Sequence, residues 1–330
     1  MTFTYKNVYL NDAALSVGPY EKDGPLRKYF DKTYDDLYFG CDSWEKAEVK
    51  LIKDSLDILV KKTKYKKGDI DLVISGDLLN QVSASTYGTS SYGKSFLGVY
   101  TACASSTEAL IIGASLIDSK KINNCICTVS SHNMSSEKQF RNPTEYGAPK
   151  PLTSTFTTTG AASCLLSNKK SNIKVESSTI GKIIDYEQND PNHMGAAMAP
   201  GAAYVIHKHL TDLNRTPDYY DLILTGDLGM YGKEILKDLL IDEYGIELSD
   251  NYNDCGIMLY DLKKQKEVHA GGSGPACSAL VNYGYILDKL RKKELKRVLL
   301  VATGALFSPT FVFQKENILS IANAVSLEVV

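Results

Sequence analysis

The stretch Gly98-Val-Tyr-Thr-Ala-Cys-Ala-Ser-Ser-Thr-Glu-Ala-Leu110 decides the fold of this chain. Its pattern predicts that a short segment ends over residues 99–102 and that a helix begins at Ser105 and continues through Leu116. Because this helix is apolar or small on nearly every side, we expect it to lie in the centre of the protein rather than on its surface.

Cys103 stands at the junction between the segment and the helix. A cysteine at the start of a helix faces unpaired N–H groups and the positive end of the helix dipole, which can lower the pKa of a thiol and create a nucleophile. A free cysteine also packs readily as a small buried hydrophobe. The position alone leaves both interpretations open.

The second half of the chain repeats the plan of the first. Asp221-Leu-Ile-Leu-Thr-Gly-Asp-Leu228 matches Asp71-Leu-Val-Ile-Ser-Gly-Asp-Leu78 almost residue for residue. The loop Gly271-Gly-Ser-Gly-Pro275, which leads into a helix, corresponds to the start of the Gly98–Leu110 stretch. In both halves the order is strand, loop into helix, strand, which is typical of an α/β protein with mainly parallel sheets covered on both faces. We therefore predict two packed sheets related by pseudo-two-fold symmetry, with residues 1–175 and 176–330 as the two halves.

Composition excludes several classes of protein. The net charge of -2 over 330 residues gives no electrostatic reason to expect a nucleic-acid partner. Seven cysteines without paired metal spacing predict reduced thiols, no metal site and no cofactor. No segment approaches the roughly twenty apolar residues that span a bilayer, so we expect the chain to reach a membrane only through partner proteins.

Three blocks carry a resemblance to a known family: Thr101–Ser106, Ser130–Gly147 and Met194–Gly201. The first resembles the nucleophile segment of the thiolase superfamily, which includes thiolases and ketoacyl-acyl-carrier-protein synthases. The resemblance implies a layered α-β-α-β-α fold in which two buried helices meet and the active site lies between the halves. It also implies a homodimer that pairs through the sheet of the first half.

The resemblance breaks down at the catalytic partners of Cys103. Ketoacyl synthases of the third type place a histidine where this chain has Asp227, and a second histidine or asparagine falls in the loop Gly271–Pro275, which contains neither residue. Because an ordinary carboxylate is a poor base for a thiol, this pattern indicates binding rather than turnover. The alternative is an acyl-transfer or condensing enzyme of the ketoacyl synthase type that uses Cys103.

The second and third blocks resemble a sporulation-specific branch of the superfamily. Its members bind dipicolinic acid, help to take it up into the developing spore, and act with membrane proteins of the stage V sporulation A operon. This implies a peripheral protein at the cytoplasmic face of the spore inner membrane. If the ligand arrives as its calcium chelate, Asp77 or Asp227 could face the metal with oxygen ligands.

We expect six residues to contact this ligand: Cys103, His132, Arg141, Asp227, Ser273 and Cys277. The starts of the Cys103 and Cys277 helices offer two anion-binding ends in one crevice. His132 follows a strand at its carboxyl end, where ligand crevices lie in α/β sheets. Arg141 could grip a carboxylate with two N–H groups, although it could equally pair with Glu145 in a structural loop.

Overall fold

The computed structural model describes residues 1–140 and 150–330. Its strands are β1 (Thr2–Thr4), β2 (Tyr9–Val17), β3 (Lys32–Thr33), β4 (Leu72–Gly76), β5 (Ser95–Gly98), β6 (Asn124–Ser131), β7 (Phe156–Thr157), β8 (Gly160–Ser167), β9 (Ile173–Ile180), β10 (Leu222–Thr225), β11 (Tyr252–Asp254), β12 (Gly272–Ser273), β13 (Arg297–Ala305) and β14 (Ser320–Val329).

The helices are α1 (Pro19–Lys22), α2 (Trp44–Thr63), α3 (Ser83–Thr89), α4 (Ser105–Asp118), α5 (Asn133–Phe140), α6 (Met194–Asp212), α7 (Gly229–Tyr244), α8 (Cys255–Met258), α9 (Pro275–Leu280), α10 (Leu287–Arg291) and α11 (Pro309–Phe313). A π-helical turn over Val281–Ile286 joins α9 to α10. In the part of the chain that the structure describes, no helix has both the length and the apolar character needed to cross a membrane.

The two halves build the same five-stranded arrangement. In the first half the strand order is β2-β8-β6-β4-β5, and in the second it is β9-β14-β13-β10-β11. β4 pairs parallel with β5 and β6, just as β10 pairs parallel with β11 and β13. The predicted pseudo-two-fold repeat is therefore present strand for strand.

The prediction of mainly parallel sheets was wrong in part. β8 pairs antiparallel with β6 and β2, and β14 pairs antiparallel with β13 and β9. Strands buried on both faces are continuous apolar runs whichever way they point, so their sequence does not reveal direction. The halves join edge to edge where Tyr9 of β2 pairs with Lys174 of β9.

The buried helix that the sequence predicted is α4, and it lies between the two sheets together with α9. Both helices belong to the largest apolar cluster, which also takes side chains from strands of each half. They touch where the Ser106 and Ser278 hydroxyls are 2.8 Å apart. Small residues at this contact let the helix backbones approach closely.

The outer layers follow from amphipathic helices. Helix α2, capped by the Ser43 hydroxyl, packs Leu51, Leu56 and Leu59 against the first sheet and keeps its lysines outside. Helices α6 and α7 cover the second sheet in the same way. The result is the five-layered α-β-α-β-α fold, and its parallel strands all end at the pole where Cys103 lies.

Candidate functional site

Cys103 lies in a sharp turn rather than inside the helix. Helix α4 begins two residues later at Ser105, and Ala102 adopts the left-handed conformation at φ 49°. The Ser105 hydroxyl accepts a hydrogen bond from the Thr101 N–H at 3.0 Å and fixes the turn. Gly304 of β13 lets the turn fit, since a Cβ there would lie 2.3 Å from the Thr101 carbonyl oxygen.

Among the charged groups of the second half, Asp227 lies closest to this turn. It follows β10, and its side chain is fully buried. One carboxylate oxygen accepts from the Thr303 hydroxyl at 2.6 Å, and the other accepts from the Ser273 hydroxyl at 3.1 Å and the Gly274 N–H at 3.0 Å. Burial raises the pKa of Asp227 to about 6, against the lowering effect of its hydrogen bonds.

The Cys103 thiol is held in its neutral form. Its sulfur lies 3.8 Å from the Ser273 hydroxyl oxygen, which links it to Asp227. Burial and the neighbouring Asp227 charge raise the pKa of the Cys103 thiol well above its usual range. The helix start therefore does not produce a thiolate here, because the sulfur is buried beside the Asp227 carboxylate.

A cleft opens directly above Cys103 and is mostly apolar. It holds about 580 Å³ of empty space, and this figure includes the part open to solvent. The walls carry Met194 and Met198 of α6, and the rings of Phe140 and Phe307, whose centroids are 5.8 Å apart. The remaining lining residues are Leu78, Tyr100, Ala102, Ser136, Glu137, Thr155, Thr157, Ser273 and Ala305.

The charge of this cleft is acidic among the residues that the structure describes. Glu137 lines the wall and pairs with Lys150, whose Nζ is 2.9 Å from its carboxylate. Asp227 lies beneath the floor, and the described lining includes no lysine or arginine. Because Lys150 compensates Glu137, Asp227 is the described carboxylate whose charge disfavours a free dianion at the floor of the cleft.

The structure brings three of the six predicted residues together: Cys103 and Ser273 line the cleft, and Asp227 supports Ser273 from below. It places His132 and Cys277 elsewhere. His132 does follow β6, but its ring is buried with Nε2 2.8 Å from the Leu37 carbonyl oxygen, and burial lowers its pKa to about 4. Arg141 lies outside the described residues.

Cys277 also departs from the expected crevice. It belongs to the fully buried face of α9, with its sulfur 3.7 Å from the Gly226 carbonyl oxygen. The second helix start is thus buried behind the loop that carries Ser273. A direct contact of Cys277 or His132 with a ligand in this cleft does not fit these positions.

Asp77, the first-half counterpart of Asp227, has a structural task. Its carboxylate accepts from the backbone N–H groups of Leu79 and Ser85 at 2.8 and 2.7 Å and so fixes the start of α3. Across residues 1–140 and 150–330 no group of three or more metal-binding side chains lies together. The Asp77 carboxylate is thus occupied by these backbone contacts, and its facing the metal of a chelate stays a prediction from the sequence.

Glu48 is a buried acid that the sequence analysis missed. It lies on α2 and accepts from the hydroxyls of Ser130 and Ser135 at 2.9 and 2.8 Å, which ties the end of β6 to α5. Burial and the nearby Asp77 charge raise the pKa of Glu48 to about 8. Since α5 supplies Ser136, Glu137 and Phe140 to the cleft wall, Glu48 helps to position that wall.

Sequence reasoning also missed most of the apolar wall. Met194 and Met198 lie in the block Met194–Gly201, and Phe140 lies in the block Ser130–Gly147. These two blocks were the signal in the sequence that could have identified the three residues as part of the site. Phe307 follows β13 in a loop without any motif. Its contribution depends on the packing of two distant segments, which no local pattern reveals.

Comparison with known proteins gives matches over nearly the whole chain. The family described as stage V sporulation protein AD matches residues 1–328. The stage V sporulation protein AD of Bacillus subtilis (strain 168) is 45% identical over 321 residues, covering 97% of this chain and 94% of that protein.

Solved structures show the same fold at low sequence identity. The 3-oxoacyl-[acyl-carrier-protein] synthase III of Aquifex aeolicus VF5 superposes with a TM-score of 0.59 at 11% identity, covering 97% of this chain and 99% of that one. The cerulenin-bound OleA of Xanthomonas campestris has a TM-score of 0.60 at 13% identity, covering 99% of this chain and 98% of that one. These similarities establish the thiolase-like fold.

Proposed function

This chain belongs to the stage V sporulation protein AD family, and on that premise we propose that it binds dipicolinic acid without chemical turnover. The ligand would enter the cleft above Cys103 as its calcium chelate, for uptake into the developing spore. The observation that carries the proposal is the neutral Cys103 thiol held beside the buried Asp227. A condensing enzyme needs a thiolate and a base at this point.

The lining of the cleft supports a flat, uncharged ligand. The methionine and phenylalanine side chains can cover the two faces of an aromatic ring, and thioethers adapt readily to such contacts. The Thr157 hydroxyl can donate to a carboxylate oxygen at the floor, whereas the Ser273 hydroxyl already donates to Asp227. A calcium chelate has a net charge near zero, so the Asp227 carboxylate would not repel it as it would repel the free dianion.

Calorimetric titration tests this proposal. We expect saturable binding of dipicolinate in the presence of equimolar calcium and weaker binding without it. Met198→Trp should fill the cleft and abolish the signal, whereas Met230→Trp, at an exposed position on α7, should bind like the wild type. Equal binding by both tryptophan variants would place the ligand elsewhere, and no binding by the wild type would refute the proposal.

One observation favours an acyl-transfer enzyme as the alternative. The left-handed Ala102 presents Cys103 at a sharp turn before a buried helix, an arrangement that also suits a nucleophile. Incubation with acyl-coenzyme A donors followed by intact mass measurement separates the two functions. The enzyme requires an acyl adduct that is absent in Cys103→Ser and that turns over; our proposal predicts no adduct.

We further propose that the protein is a homodimer paired through β5. This strand is the edge of the first sheet, and all four of its residues are exposed, including Phe96 and Leu97. An unpaired edge carries free N–H and C=O groups that a second copy can satisfy across a two-fold axis.

The same proposal places the dimer at the cytoplasmic face of the spore inner membrane. There it would act with membrane proteins of the stage V sporulation A operon. We expect those membrane proteins to co-purify with the chain from sporulating cells. The co-purification should be lost when either the chain or its membrane partner is deleted. Recovery of the chain free of membranes at every stage would contradict it.

A further inference from the structure

We propose that the pole opposite the cleft is a docking surface for anionic lipid headgroups. This surface, called the lysine face below, consists of residues 61–67, 120–121, 169–170 and 291–293. The inference rests on the proposed membrane location and names the chemistry that would hold the protein there. It revises the expectation that partner proteins alone bring the chain to the membrane.

Direct contacts join the four segments into one surface. Lys169 Nζ lies 4.6 Å from the centre of the Tyr65 ring, so the turn after β8 covers the end of α2. In the same turn, the Asn168 N–H donates to the Asn123 carbonyl oxygen at 3.0 Å. Asn123 lies two residues after Lys121, so this bond brings the segment 120–121 next to the turn. Asn11 completes the surface, since its side chain donates to the Lys169 carbonyl oxygen while its own carbonyl oxygen accepts from Arg291.

The carboxylates of this pole are already engaged. Asp69, Asp71 and Asp118 accept hydrogen bonds from backbone N–H groups of neighbouring turns. Further carboxylates pair with single cations: Asp12 with Arg291, Asp288 with Lys292, and Asp57 with Lys67 at 3.8 Å.

The exposed ammonium groups of Lys61, Lys121 and Lys170 have no carboxylate within ion-pair distance among the described residues. The lysine face is thus positive although the whole chain has a net charge of -2. Lysines at helix ends are ordinary, because they complement the negative end of the dipole. That reason explains Lys61 at the end of α2 but not the paired lysines 169–170 in a turn between strands.

The lysine face and the cleft lie at opposite poles. Helix α4 starts beside Cys103 and ends at Asp118, just before Lys120. Its 14 residues span about 20 Å at 1.5 Å per residue. A protein docked through the lysine face would therefore keep the mouth of the cleft open to the aqueous phase, where its ligand is dissolved.

The composition of the face favours a lipid surface over a nucleic acid. Lysine ammonium groups are mobile point charges that respond to the averaged potential of an anionic membrane. Nucleic-acid sites rely more on arginine forks and on aromatic rings that stack on bases. Here Arg291 is held by Asp12, and Lys169 covers the Tyr65 ring.

The test measures flotation of the full chain with vesicles of phosphatidylglycerol and phosphatidylcholine in equal amounts. We expect the wild type to float with these vesicles at 20 mM salt and to be released from them at 500 mM salt. It should not float with vesicles of pure phosphatidylcholine. The triple variant Lys61→Glu, Lys121→Glu, Lys170→Glu should bind at least tenfold more weakly.

The control reverses three exposed lysines outside this face, Lys263, Lys266 and Lys315, which form no ion pair with any described residue. Each reversal changes the charge by two units, so both triple variants carry a net charge of -8 and differ only in where the charge lies. Equal loss of vesicle binding by both variants would refute the lysine face. So would wild-type flotation on neutral vesicles, or tighter binding to duplex RNA than to the anionic vesicles.

Two further measurements keep the outcomes separate. The neutral variant Lys61→Gln, Lys121→Gln, Lys170→Gln should show the same direction of effect with less risk to folding, which thermal unfolding checks. Calorimetric titration of calcium dipicolinate should give wild-type binding for both face variants. A failure of vesicle binding then counts against the lysine face alone, and a failure of the titration counts against the ligand proposal alone.

Discussion

Replacing Asp227 by asparagine should make Cys103 more reactive. The sulfur lies 3.8 Å from Ser273 Oγ, which lies 3.1 Å from the Asp227 carboxylate, so a thiolate and this carboxylate would be at most about 7 Å apart. At an effective dielectric constant of about 20, two unit charges at this distance repel by about 2.4 kcal/mol, or about 1.7 pKa units. Removing the charge should lower the pKa of Cys103 by about that amount.

The rate of alkylation by iodoacetamide at pH 8 measures this effect. Above pH 6 the wild-type carboxylate is ionised, because its pKa is about 6. The thiolate fraction should rise about fiftyfold in Asp227→Asn, but a less basic thiolate is also a weaker nucleophile, which leaves about a tenfold faster reaction. Cys41, which is partly exposed at the far side of the first sheet, is the internal control and should react at the same rate in both proteins.

The opposite outcome would overturn the reasoning. If Asp227 acts as a base for the thiol, its loss should slow the alkylation of Cys103. An unchanged rate would mean that the carboxylate does not influence the sulfur at all. Asparagine can keep the hydrogen bonds from Ser273 and Gly274 through its oxygen while the Thr303 hydroxyl turns to accept from its NH₂ group, so the fold should persist.

Four other substitutions test the site and the surface. Cys103→Ser should keep at least a tenth of the wild-type affinity for calcium dipicolinate in calorimetry. Arg141→Ala, a prediction from sequence alone, should bind ten- to a hundredfold more weakly, because charged hydrogen bonds are worth about 1.5–3 kcal/mol. Wild-type binding by Arg141→Ala would remove that residue from the site. Glu48 has a pKa raised to about 8, so the folded state retains a proton that the unfolded state releases, and stability falls by up to about 1.4 kcal/mol per pH unit as the pH rises from about 4.5 to 8. Glu48→Gln should therefore show a flatter dependence than the wild type in urea unfolding at pH 5 and pH 8, and equal slopes would show that Glu48 is ionised in the fold. Phe96→Glu on the β5 edge should give a monomeric mass in sedimentation at micromolar concentration where the wild type gives a dimer, and a dimeric mass for this variant would move the interface elsewhere.

The sequence predicted the fold well because the structural repeat of the two halves is visible in short sequence patterns. The matched segments at Asp71 and Asp221 became β4 and β10, and the small-residue stretch after Cys103 became the buried α4. Strand direction was not predictable, since β8 and β14 are as apolar as their parallel neighbours.

The site was predicted only where a motif coincided with it. Cys103, Ser273 and Asp227 come together because both halves end their parallel strands at one pole. The position of His132 was predicted correctly, but its side chain turns inward to the Leu37 carbonyl oxygen, a contact between distant segments. The raised pKa of the thiol was missed for the same kind of reason, since it depends on a carboxylate 124 residues away in sequence.

Protection of Cys103 by the ligand tests the central claim most directly. Calcium dipicolinate is titrated into the wild-type protein during slow alkylation at pH 8, and the modified cysteines are measured by peptide mass. We predict that alkylation of Cys103 falls to a plateau as the ligand saturates, that Cys41 is unaffected, and that the dipicolinate is recovered unchanged. Unaltered alkylation of Cys103 at saturating ligand, or a covalent adduct on its sulfur, would contradict binding without turnover in this cleft.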